Sequence, residues 1–418
     1  MEHLCYNRHM NMLIQKAYRY RLYPNNTQQN QLAVNFGHAR FVYNFFLAQR
    51  IQFYEENRCS DTKKGLNYYD NANKLSAMKR SAELDWLKDA HSQVLQQSLK
   101  DLDTAYQNFF KKRAKFPRFH SKHGKQAIRY PQGVQISEKH IRVPKIGWVK
   151  AVIHRPCEGK IKNVTVSKTK SGRYFASVQV EIDVPEPQEF KPDCVGVDVG
   201  LKSFLVTSDG MEVPAPKHLE KSQKRLTRLQ RKLSRTKKGS SGREKARLAV
   251  ARQHERVADQ RKDFLHKSSR WLVDNYGFIG IEDLLVRGMV RNHCLARAIS
   301  DAGWGEFRRQ LEYKGTWYGT QVVAIDRFCP SSKTCSDCGY IVPELNLSIR
   351  EWVCPECGAY HDRDLNAAVN IKNEALSRAG IARIHAGGES VRPTLSWQFS
   401  QKPEAQCLHC PADAGQHG

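Results

Sequence analysis

The sequence predicts a multidomain α+β protein: a helical N-terminal part, an all-β middle, and a mixed α/β C-terminal part carrying a metal-binding insert. Three observations carry this expectation. The chain has 418 residues, more than one ordinary core organises. Its hydrophobic pattern changes period twice, from helical spacing to short β-branched runs and then to apolar strands alternating with helices. Four cysteines form two C-x-x-C pairs, Cys335/Cys338 and Cys354/Cys357, with fifteen residues between the pairs. That is the spacing of a four-cysteine zinc ribbon.

Taken in order, residues 1–12 read as an unstructured lead. Leu13 to Tyr23 alternates apolar or aromatic with basic residues, as a strand does, and Pro24 ends it. Asn26 or Thr27 is expected to cap a helix in which Leu32, Phe36, Ala39, Val42, Tyr43, Phe46 and Ile51 recur at helical spacing. After a break at 57–65, a short helix is expected near 69–80 and a longer one over 92–112. The apolar stripe of the longer one, from Val94 and Leu95 to Phe109 and Phe110, reads as core. The segment Lys111 to Lys125 loses the periodicity and interleaves seven Lys or Arg with Phe116 and Phe119. This suits phosphates and unstacked bases, with Lys115 and Arg118 as candidate contacts; a solvated linker is the competing reading. Residues 128–185 consist of short β-branched runs between Gly, Pro and Ser-Gly turns, a small barrel or sheet. A proline-bearing boundary follows at 185–193. Beyond it CVGVDVG, SFLVT, FIGIEDL and QVVAIDRF read as strands, with Asp209-Gly210 a hairpin turn. A helix follows over about 365–379, and the composition of the remaining tail reads as disordered.

Charge gives the first indication of function. Lys and Arg number 68 against 42 Asp and Glu, a formal net charge of +26. Half of it sits in residues 217–267, with eighteen basic against five acidic residues. This stretch reads as a helical hairpin turning at Gly239–Gly242, with a thin seam of Leu226, Leu229, Leu233, Leu248, Val257 and Leu265. Solvated helix faces mix signs. A single-signed face suits a polyanion, with Lys224, Arg225, Arg231 and Lys232 as candidate contacts. No apolar run reaches the roughly 18–20 residues of a membrane span, and the N-terminus lacks a signal-peptide core. A soluble, cytoplasmic protein without a membrane partner is expected. Twelve cysteines in such a chain argue for metal over disulfides. The four paired thiolates would close a tetrahedral, structural Zn²⁺ site. Cys5, Cys59, Cys157, Cys194, Cys294 and Cys329 are scattered, and Cys407/Cys410 form a lone pair.

Three acids stand where a nuclease would place them. Asp198 lies inside the apolar run Val195–Val199, where an ionised carboxylate is costly unless it is paired or binds metal. Glu282 ends the strand Phe278–Glu282, and Asp364 starts the last helix, with Asp362 as a rival. Oxygen-only ligands suit Mg²⁺ or Mn²⁺, and such ions support phosphodiester hydrolysis. Read alone, the three acids stand level with ordinary strand-end acids.

GVDVG (196–200), GIEDL (280–284), SDAGWGEFRRQLEYK (300–314), the CSDCG and CPECG knuckles and HDRDLNAAVNI (361–371) appear in one order. RLYPN (21–25), ARFVYN (39–44) and FPRF (116–119) precede them. Together they resemble TnpB, the OrfB-type nuclease encoded by certain insertion sequences and related to type V CRISPR effectors. The resemblance covers about residues 13–378. It implies an RNA-guided DNA endonuclease with an RNase H-like (RuvC) core over 191–328, the basic hairpin within it. A zinc ribbon over 329–361 and a final RuvC helix over 362–378 would complete the nuclease part. Residues 13–24 and 126–190 would form a β-barrel wedge domain, 25–125 a helical recognition domain, and 379–418 the tail. Asp198, Glu282 and Asp364 match the family's RuvC acids. A transposon-derived guide RNA would pair with double-stranded target DNA while the protein reads a short flanking motif. Residues 65–80, with Tyr68 and Tyr69, are candidate readers of that motif. A non-cutting RNA-guided DNA-binding regulator and a DDE-type transposase are the alternatives.

Overall fold

The computed structural model describes residues 11–57, 65–185, 191–346 and 348–380. Nearly all of the expected lead and tail, and with them Cys5, Cys59, Cys407 and Cys410, lie outside the described residues.

Strand β1 (Asn11–Tyr23) follows from the alternation of its sequence, but its partners come from far away. The all-β region supplies β2 (Gln126–Tyr130), β3 (Gln135–Ile136), β4 (His140–Val143), β5 (Gly147–Val152), β6 (Lys160–Lys168) and β7 (Tyr174–Pro185). β1 pairs antiparallel with β7 from Asn11↔Pro185 to Leu22↔Tyr174, and with β5 on its other edge. The sheet runs β2-β6-β7-β1-β5-β4-β3. Ile128 and Tyr130, near one end, and Ile141 and Val143, near the other, join a single apolar cluster with Tyr20, Leu22 and Val178. The sheet therefore curls around its own core.

Between β1 and β2 stand α1 (Asn26–Glu56), α2 (Tyr68–Met78), a 3₁₀ segment (Ala82–Asp89) and α3 (Ser92–Phe110). Asn25, not Asn26 or Thr27, caps α1. Its side chain accepts from the Gln28 backbone N–H at 2.9 Å, and the Gln28 side chain accepts from the Asn25 N–H at 3.1 Å. Asn25 and Asn26 have the same capping propensity, and the reciprocal bonds with Gln28 select Asn25. Phe46, Leu47, Leu87, Leu95, Leu99 and Leu102 form the fully buried centre of this helical unit.

The second sheet is built from β8 (Cys194–Asp198), β9 (Ser203–Thr207), β10 (Glu212–Pro214), β11 (Phe278–Glu282) and β12 (Gln321–Ile325), in the order β10-β9-β8-β11-β12. β8, β11 and β12 are parallel neighbours, while β9 and β10 run antiparallel. The connection from β10 to β11 is the basic hairpin, α4 (His218–Ser234) and α5 (Ser241–Asn275). The turn lies earlier than expected: Ser240 is the N-cap of α5, accepting from the Arg243 N–H at 3.1 Å, and Ser241 and Gly242 are already helical. Arg243 reaches back to the Leu233 and Thr236 carbonyls at 3.0 and 2.9 Å and closes the end of α4. α5 also continues past residue 267, because Phe264, Leu265, Leu272 and Val273 are core residues of the sheet.

Residues 286–318, given no secondary structure in the sequence reading, form α6 (Val286–Met289), α7 (Ala296–Ala302) and α8 (Trp304–Tyr318). Val195, Val197, Ile279 and Ile281 face α5 and α8. The opposite face receives α9 (Arg363–Arg378), which follows the ribbon hairpin β13 (Glu351–Val353) and β14 (Tyr360–Asp362). This approach is very close: a Cβ added at Gly196 would stand 2.0 Å from the Ala368 carbonyl oxygen. Glycine is required there because the backbone of α9 lies directly against β8.

Candidate nuclease site

Three elements deliver the three acids. β8 and β11 are parallel, with Ile281 opposite Val197, so Asp198 and Glu282 end adjacent strands at the same edge. The glycine contact of α9 with β8 and β11 brings the start of α9 to this edge, and Asp364 is its second residue. Parallel strands ending together, with a helix start above them, is where α/β sheets place their sites.

Asp198 reports the proximity. Its carboxyl is pushed up from 3.8 to about 7, first by burial and then by the charges of Glu282 and Asp364. The Val199 N–H and Arg363 oppose the shift without cancelling it. The Glu282 carboxyl is also raised by burial, opposed by a hydrogen bond from Ser331 Oγ to Oε1 at 2.8 Å. Arg350 Nη1 lies 3.2 Å from Asp364 Oδ1. Asp362 is already occupied: its Oδ1 accepts from the Asp364 and Leu365 N–H groups at 3.0 and 2.9 Å, capping α9. Asp364, not Asp362, is the acid of this turn whose charge acts on Asp198. The charges of Glu282 and Asp364 reach Asp198, but the three acids do not converge within 4.8 Å as the thiols described next do. Negative charge that Arg363, Arg350, the Val199 N–H and the Ser331 hydroxyl leave only partly compensated fits a divalent cation.

The sulfur atoms of Cys335, Cys338, Cys354 and Cys357 all lie within 4.8 Å of one another, the single such donor group among the described residues. Cys335 and Cys357 are 3.7 Å apart, and Cys338 and Cys354 are 3.6 Å apart. Zn–S bonds of about 2.3 Å at tetrahedral angles require sulfur separations near this value, so the set fits zinc. Gly339 and Gly358 follow the second cysteine of each knuckle at φ +82° and +72°, donating to the Cys335 and Cys354 carbonyls at 2.9 Å each.

Three residues of this region escaped the sequence reading. Ser331 and Arg350 touch the acids. His361, buried and packed on Trp352, lies with Nε2 3.0 Å from Cys335 Sγ, the outer hydrogen bond that orients a thiolate ligand. Nothing in the polar run HDRD marks this histidine, whose burial follows from its packing on Trp352.

The expected nucleic-acid contacts are distributed over the surface. Lys224, Arg231 and Lys232 line one concave strip of α4 with Arg228 and Arg235, and Arg225 is exposed beside it. Lys115 and Arg118 are exposed on a segment tied to α1, where Asn44 holds both backbone groups of His120 at 2.7 and 3.0 Å. Tyr43 stacks on the His120 ring at 3.8 Å. Tyr68 packs against the helical core with Lys100 over its ring, leaving Tyr69 as the exposed aromatic. No helix among the described residues is long and apolar enough to cross a membrane.

Fold and cysteines together define an RNase H-like core with an inserted four-cysteine ribbon. Family models agree in register. One described as "Probable transposase" matches residues 177–293, and one described as "Cas12f1-like, TNB domain" matches 304–371. A third, described as a helix-turn-helix domain, matches 10–59, where the described residues form β1 and the single helix α1. The chain is 40% identical over 389 residues to a "Putative RNA-guided DNA endonuclease" of Streptomyces pristinaespiralis, covering 91% of this chain and 92% of that one. It is 38% identical over 373 residues to "Putative RNA-guided DNA endonuclease InsQ" of Escherichia coli K12, covering 85% and 91%. Among solved structures, a Cas12f1–sgRNA–target DNA complex shares the fold at TM-score 0.53 and 13% identity, over 86% of this chain and 99% of that one. The chain belongs to the TnpB (OrfB) family.

Proposed function

We propose that this protein is an RNA-guided DNA endonuclease that cuts phosphodiester bonds at Asp198, Glu282 and Asp364. The observation that carries the reading is the gathering of these three carboxyls at one sheet edge, where burial first and then the charges of Glu282 and Asp364 raise the Asp198 carboxyl to about 7. Structural acids are normally placed to relieve such repulsion; here the fold maintains it. Mg²⁺ or Mn²⁺ held by the three acids would supply the positive charge that activates water and stabilises the leaving oxygen. Asp198 and Glu282 are fixed by strands and Asp364 by the capped first turn of α9, so the acids are positioned before substrate arrives.

The remaining parts divide the binding. The strip on α4 and the segment 111–125, held by Asn44, suit the phosphates of guide RNA and DNA. The curled sheet would act as the wedge and the helical unit as the recognition domain, with Tyr68 and Tyr69 near the flanking motif. A zinc ion in the four-thiolate site would stabilise the ribbon that precedes Asp364. The guide is expected to derive from the surrounding transposon, and cutting to support the transposon's persistence.

The test is cleavage of a matched DNA duplex by the purified protein with its copurifying RNA, in Mg²⁺. Cutting that disappears after RNase treatment and in Asp198→Ala, with target binding retained in the variant, is the expected result. Wild-type protein that binds the target and leaves it whole overturns the reading in favour of a regulator. RNase-resistant joining of DNA ends overturns it in favour of a transposase.

A further inference from the structure

We propose that Ser331 is a positioning residue for Glu282, through which the cysteine ribbon sets the geometry of the acid centre. The inference rests on the nuclease reading above and adds a residue whose chemistry that reading does not use.

Ser331 lies in the connection from β12 to the first knuckle, four residues before Cys335, and is 6% exposed. Its Oγ donates to Glu282 Oε1 at 2.8 Å. A serine hydroxyl has one proton to give. Committed to a carboxylate, that proton selects one rotamer of Glu282 and leaves the second oxygen for another partner.

The serine is itself fixed. Asn370 Nδ2, on α9, donates to the Ser331 carbonyl at 2.8 Å and to the Thr334 carbonyl at 2.6 Å. Asn366, one turn earlier, donates to the Thr334 carbonyl at 2.8 Å and accepts from the Ser336 N–H at 2.9 Å. Asn366 is 2% exposed, so these bonds have little competition from water. Two asparagines of the helix that carries Asp364 thus grip the turn entering the knuckle, and a serine of that turn grips Glu282. Movement of the Cys335 knuckle would be transmitted to both acids along one chain of hydrogen bonds.

Removing an outer-sphere partner of this kind typically weakens metal binding roughly 10- to 100-fold. The experiment uses the full chain with its guide RNA. Two readouts are titrated against Mg²⁺: cleavage rate, and thermal stabilisation in the absence of DNA. Ser331→Ala is expected to raise the Mg²⁺ midpoint about tenfold in both, with zinc content and guide binding unchanged. Asn370→Ala, which keeps the hydroxyl but frees its carbonyl, is expected to shift the midpoint less and in the same direction.

A double-mutant cycle separates orientation of Glu282 from general loosening of the ribbon. In a Glu282→Gln background, Ser331→Ala should leave the thermal midpoint where Glu282→Gln alone puts it. A further shift there overturns the proposal, because the serine would then act by another route. So does wild-type cleavage accompanied by unchanged Mg²⁺ midpoints in Ser331→Ala. Absence of cutting by the wild type overturns the nuclease reading itself, and this inference with it.

Discussion

Asp198→Asn should make the protein more stable while abolishing cutting, and the gain should depend on pH in a specified way. The folded carboxyl titrates at about 7 instead of 3.8. Three units at 1.36 kcal/mol each correspond to about 4 kcal/mol of unfavourable free energy in the ionised folded state. Water reaching the half-buried residue screens part of this, so about 2 kcal/mol is the expected size. The sign follows from proton occupancy. Between the two values the folded protein holds a proton that the unfolded chain has released, so stability falls as pH rises from about 4 to 7 and stays reduced above. Asparagine keeps the size, can still accept from the Val199 N–H, and carries no charge at any of these pH values. Without added Mg²⁺, the variant should therefore melt roughly 4–8 °C above wild type at pH 8 and nearly level with it at pH 4. Added Mg²⁺ should narrow the gap at pH 8, since only wild type has the ionised ligand to gain. Scanning fluorimetry across pH measures all of this. A variant that melts below wild type at pH 8, or a gap that ignores pH, would show that the fold does not disfavour the ionised Asp198 carboxylate.

Four further outcomes test other links. Cys335→Ser should lose bound zinc by elemental analysis and soften the ribbon, seen as faster proteolysis within 329–361 while the N-terminal sheet stays intact. Gly196→Ala forces a methyl against the Ala368 carbonyl 2.0 Å away; roughly 3 kcal/mol or more of destabilisation is expected, and ordinary solubility and melting would refute the close packing of α9 on β8. Asn44→Ala removes two hydrogen bonds to the His120 backbone, about 1 kcal/mol each. Trypsin should then cut within 111–125 several-fold faster, with guide affinity reduced. Replacing Lys224, Arg231 and Lys232 by Ala should lower the slope of log affinity against log salt by roughly 2–3, and an unchanged slope would free α4 of any role in binding nucleic acid.

Much of the architecture was legible because its signals are local. Alternation defined β1, the apolar runs defined β8, β9, β11 and β12, and C-x-x-C spacing defined the ribbon. The reading weakened where the cause lies elsewhere in space. Nothing in residues 13–23 says that β1 will lie between β7 and β5, because the pairing depends on strands more than a hundred residues away. Residues 286–318 received no element, although Trp304, Phe307, Leu311 and Gly315 mark the buried side of α8 at helical spacing. Charged residues interspersed with this stripe obscured it. At the site, the acids could be named from the strands and helix that carry them, but on residues alone Asp362 competed with Asp364. The structure gives the two different surroundings: Asp362 caps α9 through Oδ1, whereas Asp364 pairs with Arg350 and its charge reaches Asp198.

Ser331 and Arg350 were illegible for a related reason. A serine in a loop and an arginine before a knuckle carry no periodicity, and their importance arises only when the ribbon folds back over the sheet edge. The order of elements explains why it does. The chain leaves β12 beside β11, makes both knuckles, and must return as α9 against β8 and β11, with glycine at 196 and 280 permitting the contact. The ribbon is therefore closed at both ends within reach of the acids, Ser331 on the way out and Arg350 on the way back. A ribbon inserted elsewhere in the core could bind zinc equally well without touching Glu282 or Asp364. Its placement between the last strand and the acid-bearing helix makes an otherwise structural metal site part of the geometry on which cutting would depend.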